Sequence, residues 1–384
     1  MKIISILFNL KFQFLPPSEK KILIFDYNLY YKFKILDFFK IDHEILFIRF
    51  EKIKIFVLLK NFFIFKFSYF DYLQTYINYV NPKLLITLND NNLKFYKLNC
   101  KNGKKIFIQQ GKRSDVKDIF SEFKKDKSKE KNYVDYMFTY NKKISDLYKK
   151  YISGKTIPIG SIESNDVKIC FKYNKYKKRI LLISDFYQNY LNPDKILTNN
   201  IKFNVFLDKE KKLLKELNNY IKKNNLKIDI LSRFNGKKFE EEKKYYLKIF
   251  TKNRLNLIKN NPKNFNKFNI IDRYNLVIGF DSTLMLETFG RGQKVLIINF
   301  KGSLKKELLS YDLFWPQKQK KELDFFLNDC NLIKLRQKLD NLLILNDLDW
   351  KKIHYAYKNI IMNYCYKNKV LNYTIKEIID ENTI

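Results

Sequence analysis

The chain has 384 residues, a length at which a single hydrophobic core stops growing, so two domains of ordinary size are expected. Hydrophobic residues make up 46% of it and aromatics 17%, which excludes a largely disordered chain. The 75 Lys and Arg against 40 Asp and Glu leave a net charge of +35. That excess points either to an anionic partner, lipid or phosphorylated, or to drift toward Lys, Asn, Ile, Phe and Tyr; its even spread argues against a nucleic-acid-binding stripe.

From the N-terminus, MKIISILFNLKFQF carries a short apolar run that Lys11 interrupts, with no small-residue cleavage site after it, so no secretory signal is expected. Residues 21–26 (KILIFD) and 44–49 (EILFIR) read as the first two core strands. The apolar stretch 55–70 is broken by Lys60 and Lys66 below the span a bilayer requires; a buried strand or helix is expected there, or at most an interfacial one. Helical periodicity over 72–79 ends at Pro82, and 84–88 (LLITL) is a strand opening onto Asn89, Asp90, Asn91 and Asn92. Residues 105–108 (KIFI) repeat the arrangement and lead into Gln109, Gln110, Gly111, Lys112, Arg113, Ser114 and Asp115. Strands with polar tips, alternating with helices, are what an open α/β sheet presents at its ligand edge. No G-x-G-x-x-G and no G-x-x-x-x-G-K-[ST] occurs, which removes the main support for dinucleotide and P-loop readings.

The charged stretch 114–132 is expected to be an exposed loop or lid and 133–140 a strand, with 157–160 closing a first domain over 1–165. A polar, Lys-rich linker over 164–178 leads into a second domain over 179–350, opened by the strand 179–184 with Asp185 at its tip. Residues 207–223 have helical period, 227–231 (KIDIL) form a strand ending at Ser232 and Arg233, and 239–250 return to helix. Arg233 at a strand tip can take a diphosphate in bidentate fashion, or lie as an ordinary surface arginine. Residues 351–384 read as C-terminal helices. Cys100, Cys170, Cys330 and Cys365 lie far apart without CxxC spacing, which fits reduced, cytoplasmic thiols better than a zinc site or a disulfide framework.

The most informative stretch is 276–300, LVIGFDSTLMLETFGRGQKVLIINF, which reads as strand, polar turn, short helix, glycine-bounded turn and strand. Asp281, Ser282 and Thr283 can cap the helix, and Gly290 with Gly292 ends it. The first turn of a helix beyond the carboxyl end of a parallel strand offers N–H groups and a positive dipole end to a phosphate, and Ser282 and Thr283 add neutral donors. Glu287, four residues after Thr283 on the same helical face, suits sugar hydroxyls. The plain alternative is helix-start chemistry without a ligand. Asp347 and Asp349 match the letters D-x-D of a metal-dependent transferase but precede an apolar helix and read as its cap. His43 and His354 share no motif, so no metal is expected.

FDSTLMLETFGRGQKVLIINF resembles the donor-domain segment of a bacterial family of surface carbohydrate or O-antigen biosynthesis proteins built like two-domain GT-B glycosyltransferases. The likeness extends to LLITLNDNN (84–92), IFIQQGKRSD (106–115), VDYMFTYN (134–141), IPIGSIESN (157–165) and LLISDFY (181–187), and covers about two thirds of the chain in order. It implies an α/β fold of two Rossmann-like domains facing a central cleft, with the C-terminal helix crossing back to the first. It also implies metal-independent sugar transfer from a nucleotide-sugar to a glycan or lipid-linked acceptor, with no cofactor. The second domain would hold the donor through Arg233, Asp281, Ser282, Thr283 and Glu287. Gln110, Gly111 and Arg113 would bind substrate from the first domain, where Asp115 or Asp90 would serve as base. Location would be cytoplasmic, with peripheral association on the anionic inner membrane face. A glycerol- or ribitol-phosphate transferase of the same architecture is the near alternative, and a non-catalytic basic module binding nucleic acid or membrane the distant one.

Overall fold

The computed structural model describes all residues except 1–10, 50, 115–117, 127–131, 172–177, 187–195, 199–200, 261–266, 281, 300–321 and 381–384, and only the backbone of 196–198 and 201–206. The chain divides into two compact units, Met1–Asp166 with Cys365–Ile384, and Val167–Tyr364.

In the first unit the elements are β1 (Ile22–Phe25), β2 (His43–Leu46), α1 (Ile55–Phe63), α2 (Tyr69–Val80), β3 (Leu84–Thr87), β4 (Lys104–Ile108), β5 (Tyr133–Thr139), α3 (Lys142–Tyr148), β6 (Ser153–Pro158) and α4 (Ile162–Asp166). The six strands pair in parallel in the order β2-β1-β3-β4-β5-β6. Every residue of β1 and β3 is buried, as continuous aliphatic runs covered on both faces require. The α2 helix shows why such elements form where they do. Ser68 and Asp71 make a reciprocal capping box, Tyr72, Leu73, Tyr76, Ile77 and Val80 recur on one buried face, and Asn81 in the left-handed region stops it.

In the second unit β7 (Arg179–Ile183), α5 (Phe203–Lys223), β8 (Lys227–Leu231), α6 (Lys237–Leu247), β9 (Leu255–Ile258), β10 (Leu276–Phe280), α7 (Thr283–Gly290), β11 (Val295–Ile298), β12 (Phe326–Leu327), α8 (Leu332–Ile344) and α9 (Asp347–Ile361) follow. Their sheet is also parallel throughout, in the order β9-β8-β7-β10-β11-β12. Both orders start in the interior and reverse direction once, which is the doubly wound, Rossmann-like arrangement. The reversal falls between β1 and β3 in the first unit and between β7 and β10 in the second.

The C-terminal helix α10 (Lys369–Asp380) belongs to the first unit. Leu371, Ile375, Ile378 and Ile379, at helical spacing, join the cluster of Ile22, Ile24, Leu84, Ile86, Ile106 and Ile108. Burying each of these side chains contributes ~1.5–3 kcal/mol, so the returning helix is a substantial part of that core. Asn165 fixes the re-entry by accepting from the Cys365 N–H at 2.8 Å and donating to the Asn368 side chain at 3.1 Å.

Several expected features differ. The division falls after Tyr364 instead of after Trp350, because the Trp350 indole donates to the Gly292 carbonyl at 2.7 Å and its ring packs on Phe289 and Phe325 within the second unit. Within the stretch expected to be an exposed lid, residues Ile119–Lys125 form a helix capped by Asp118 and Ser121, with Ile119, Phe120 and Phe123 buried. The run 55–70 is neither buried nor a strand: α1 buries only Val57 and Asn61.

Candidate functional site

The described polar groups collect at the carboxyl ends of the strands in each unit. In the first unit, Asp26 follows β1, Asn89 and Asp90 follow β3, and Gln109 and Gln110 follow β4. Asp90 is fully buried. Arg113 Nε donates to its Oδ2 at 2.7 Å, Arg113 Nη2 donates to Oδ1, the Tyr148 hydroxyl donates to Oδ2 at 2.7 Å, and the Gln110 N–H lies 3.3 Å from Oδ1. These four donors match the lone-pair sites a carboxylate offers. Burial alone would lower the Arg113 guanidinium pKa, but Asp90, Tyr148 and Asp118 outweigh it and the net direction is up. Burial first, then Asp90, raises the Tyr148 phenol well above its ordinary value, so it donates as a neutral hydroxyl.

The structure brings Asp90, Gln110, Gly111 and Arg113 together, with Asp90 and Arg113 paired. The sequence suggests Arg113 as an anion-binding group and Asp90 as a candidate base. Here each neutralises the other, so Asp90 has no lone pair left to take a proton from an acceptor and Arg113 has its fork turned inward. Asp115 lies outside the described residues. Gly111 sits against the Arg113 guanidinium: a Cβ there would lie 3.5 Å from Nη1. The Gln110 side chain accepts from Lys32 Nζ at 3.1 Å, and Lys32 also pairs with the buried Glu163 on α4.

Sequence reasoning singled out neither Asp26 nor Arg49 as functional. Asp26 is buried with φ 81°, and its carboxylate accepts from the Asn28 N–H at 2.9 Å, from Arg49 at 3.0 Å and from the Asn89 amide at 2.7 Å. This cluster stands at the β1/β3 reversal. Its signal was an aspartate closing an otherwise apolar strand, KILIFD.

In the second unit the β7/β10 reversal places Ser184 and Asp185 between two other tips, Ser232 and Arg233 after β8 and Ser282 after β10. Ser282 is the N-cap of α7, its hydroxyl 3.4 Å from the Met285 N–H. Thr283 opens the helix half-exposed, while Glu287, one turn on, is buried; Asp281 lies outside the described residues. Gly279 on β10 explains how so short a strand-to-helix turn is made. A Cβ there would come within 2.5 Å of Met285 Sδ, so glycine lets Met285 of α7 lie directly on the strand, and any larger residue requires that side chain to shift.

Arg233 is partly exposed, its guanidinium 3.4 Å from Asp185 and stacked toward Phe234. Its position is set from behind by Glu242 on α6, which accepts from the Arg233 N–H at 2.9 Å and the Phe234 N–H at 3.1 Å. Burial raises the Glu242 carboxyl above its ordinary value, against those hydrogen bonds. Glu242 was not anticipated; its signal was a carboxylate on the apolar side of α6, one turn before the buried Tyr246, whose hydroxyl donates to Ser184 at 2.9 Å. With neighbouring parallel strands ~4.8 Å apart, the tips of β8 and β10 stand ~10 Å from each other across β7. Arg233 and the start of α7 thus flank one short stretch of sheet edge.

The D-x-D letters lie in the first turn of α9, and the cap is Asn346, which accepts from the Asp349 N–H at 2.9 Å. Among the described residues no three His, Cys, Asp or Glu are grouped as metal ligands.

A family profile described as "putative O-antigen biosynthesis protein" matches residues 106–379. Solved structures share the fold at low identity. The S. aureus MnaA-UDP co-structure superposes with a TM-score of 0.51 at 14% identity, over 95% of this chain and 98% of that one. A structure of the wall teichoic acid polymerase TagF with CDPG gives 0.50 at 11% identity, over 96% and 90%. A comparison with curated protein sequences finds no match.

Proposed function

The chain belongs to the family described as putative O-antigen biosynthesis proteins, and from that premise we propose that it is a GT-B-type glycosyltransferase moving a sugar from a nucleotide-activated donor to a surface-polysaccharide or lipid-linked acceptor. The observation that carries this reading is the start of α7. A serine-capped helix N-terminus opens at the topological reversal of a fully parallel sheet, flanked two strands away by Arg233. First-turn N–H groups, the dipole and a guanidinium are what a departing nucleoside diphosphate needs, because charge builds on its phosphate oxygens as the glycosidic bond breaks. No step of that kind requires a metal ion, and we assign the electrostatic work to these groups.

Within this reading Ser282, Thr283 and Arg233 hold the diphosphate, with Asp281 next to Ser282 in sequence, and Glu287 accepts hydrogen bonds from donor hydroxyls. Gln110 and Gly111 contact substrate from the first unit, where Asp115 is the base for the acceptor hydroxyl. Asp90 and Arg113 are assigned the task of shaping that loop. The MnaA co-structure contains UDP and the TagF structure CDPG, and the latter keeps a second reading open, transfer of a polyol phosphate from a CDP-activated donor onto the same phosphate site.

Thermal unfolding in the presence of UDP, CDP, GDP and dTDP tests both, since only a ligand of the folded state raises the melting point. A shift with one nucleotide that Ser282→Ala/Thr283→Ala reduces is the expected result, the shift being read against each variant's own ligand-free melting point because loss of the Ser282 cap lowers stability by ~0.5–2 kcal/mol. Each hydroxyl contact to a charged phosphate is worth ~1.5–3 kcal/mol, so the double variant loses at least about tenfold in affinity. Unchanged affinity would remove the assignment, and CDP as the sole binder would favour the polyol-phosphate reading.

A further inference from the structure

The first unit carries a surface that neither its sheet edge nor the transfer chemistry uses. The end of α1 and the turn after it leave Phe62, Phe63, Ile64, Phe65 and Phe67 exposed, Phe63 to 76%, Phe65 to 84% and Phe67 to 70%. The strand Lys11–Gln13 pairs in parallel with Lys52–Lys54, which runs directly into α1, and the residues after it, Phe14 and Leu15, are 79% and 77% exposed. Apolar side chains scattered singly need no explanation, but a contiguous run of large aromatics does. Around them positive charge prevails: Lys52, Lys54, Lys60 and Lys66 fall in residues 52–70, with one acidic residue at each border, Glu51 and Asp71, the latter beside Lys66.

We propose that this patch docks the protein on an anionic lipid bilayer. The phenylalanines enter the boundary between headgroups and acyl chains, and the lysines pair with lipid phosphates. Charge complementarity selects this occupant over a second copy of the chain, whose identical face would set four lysines against four lysines. The overall +35 adds repulsion between copies and attraction to an anionic surface. A recess of about 310 Å³, lined by Ile53, Leu58, Phe62, Phe67 and Tyr72 among others, opens in the patch, and fluid acyl chains fill such a recess without a matching knob. Among the described residues no helix is long and apolar enough to cross a membrane, so attachment through α1 lies in the plane of the interface. The proposal names the surface on which a lipid-linked acceptor would be met, yet it stands apart from the transfer reading, because binding is measured without donor or acceptor.

The test is co-sedimentation of the full chain with sucrose-loaded vesicles of phosphatidylcholine alone or mixed with phosphatidylglycerol. The wild type partitions into the anionic vesicles, and raising the salt to about 0.5 M, where the Debye length is only a few ångströms, weakens the binding. Phe62→Ser/Phe63→Ser/Phe65→Ser/Phe67→Ser, all at exposed positions, loses about tenfold or more in partitioning at unchanged melting point. Lys60→Glu/Lys66→Glu loses the preference for phosphatidylglycerol. As a reading that needs no destabilising change, Phe65→Trp shows a blue shift of its added indole emission when vesicles are present. Vesicle binding undiminished in the serine variant, no blue shift from the Phe65→Trp variant, or a dimer by light scattering that the serine variant converts to monomer without any vesicle binding each overturns the proposal.

Discussion

Arg113 closes on Asp90 with two parallel hydrogen bonds, so the two charged side chains expected to face a substrate instead face each other at the end of β3. A fully buried carboxylate is tolerable only when paired and hydrogen-bonded, and Tyr148 completes the set at 2.7 Å.

The first prediction follows from that pairing. Arg113→Ala leaves an uncompensated charge in the core and should destabilise the first unit by ~3–5 kcal/mol, whereas Asp90→Asn/Arg113→Met, which removes both charges, should recover part of the loss. Urea unfolding of the wild type and the two variants measures it. A double variant no better than Arg113→Ala would mean that shape, not charge, dominates there.

The second prediction separates the two carboxylates given chemical roles. Glu287→Gln should chiefly raise the donor KM, because it removes an acceptor of donor hydroxyls, while Asp115→Asn should lower kcat at nearly unchanged donor affinity. Steady-state kinetics with the nucleotide-sugar found by thermal shift decides this. The opposite pattern would reverse the roles assigned to the two residues.

Metal independence is the third. Helix α7 and Arg233 are assigned the electrostatic work that a divalent cation performs in D-x-D enzymes, and Asp349 is occupied at a helix start with Asn346 and Lys352. Activity should survive EDTA; its loss, restored by Mg²⁺ or Mn²⁺ and abolished again by Asp349→Asn, would reassign that pair.

Much of the scaffold was legible because parallel strands buried on both faces write themselves as unbroken aliphatic runs. KILIF, LLIT, RILLI and LVIGF are all strands of the two sheets. The polar residues after each run mark the carboxyl ends of those strands. Partnership across the fold was not legible: Arg113 with Asp90 and Arg233 with Asp185 depend on which strands are neighbours, which local spacing does not encode. Arg291 makes the same point. In GRG it read as part of a helix stop, yet it is fully buried, bidentate on Asp272 and donating to the Val167 carbonyl at 2.8 Å, which ties the start of the second unit to its interior. The run 55–70 was ambiguous because apolar content alone does not distinguish a core helix from an interfacial one.

A fourth prediction tests the turn to which the donor phosphates are assigned. Gly279→Ala drives a methyl group into Met285, so it should destabilise the second unit by ~1–3 kcal/mol and weaken nucleotide binding together. Gly279→Ala/Met285→Ala, which clears the space, should restore binding more fully than Met285→Ala alone predicts, a non-additivity that thermal shift with nucleotide reads directly. Strictly additive losses would mean that the strand and α7 are not pressed together as the geometry indicates.

The last prediction concerns Lys105, whose ammonium lies inside the first unit. It donates to the carbonyls of Phe95 at 3.2 Å and Tyr96 at 3.1 Å and to that of Leu98, at the carboxyl end of the short helix Leu93–Lys97. Burial, opposed by Cys100 and Asp135, pushes its pKa down from 10.5 to about 8. The folded state therefore releases this proton more readily than the unfolded chain. Below about pH 8 both states hold it and the folded state carries the full cost of a buried charge. Between about 8 and 10.5 the unfolded chain binds a proton that the folded one lacks, so stability rises with pH. The slope for one group reaches at most ~1.4 kcal/mol per pH unit. The Cys100 and Cys330 thiols, pushed by burial from 9.0 to about 11, pull the other way once the unfolded chain's thiols ionise near pH 9, and buried tyrosines such as Tyr96 and Tyr148, whose pKa values are raised, do so above about pH 10, so the window for Lys105 is about pH 8 to 9. Lys105→Met removes the titration but leaves the tyrosines, so the stability of the wild type minus that of the variant should climb across this window in urea unfolding. A flat difference would show that three carbonyl acceptors and the helix end hold the ammonium charged well above pH 8.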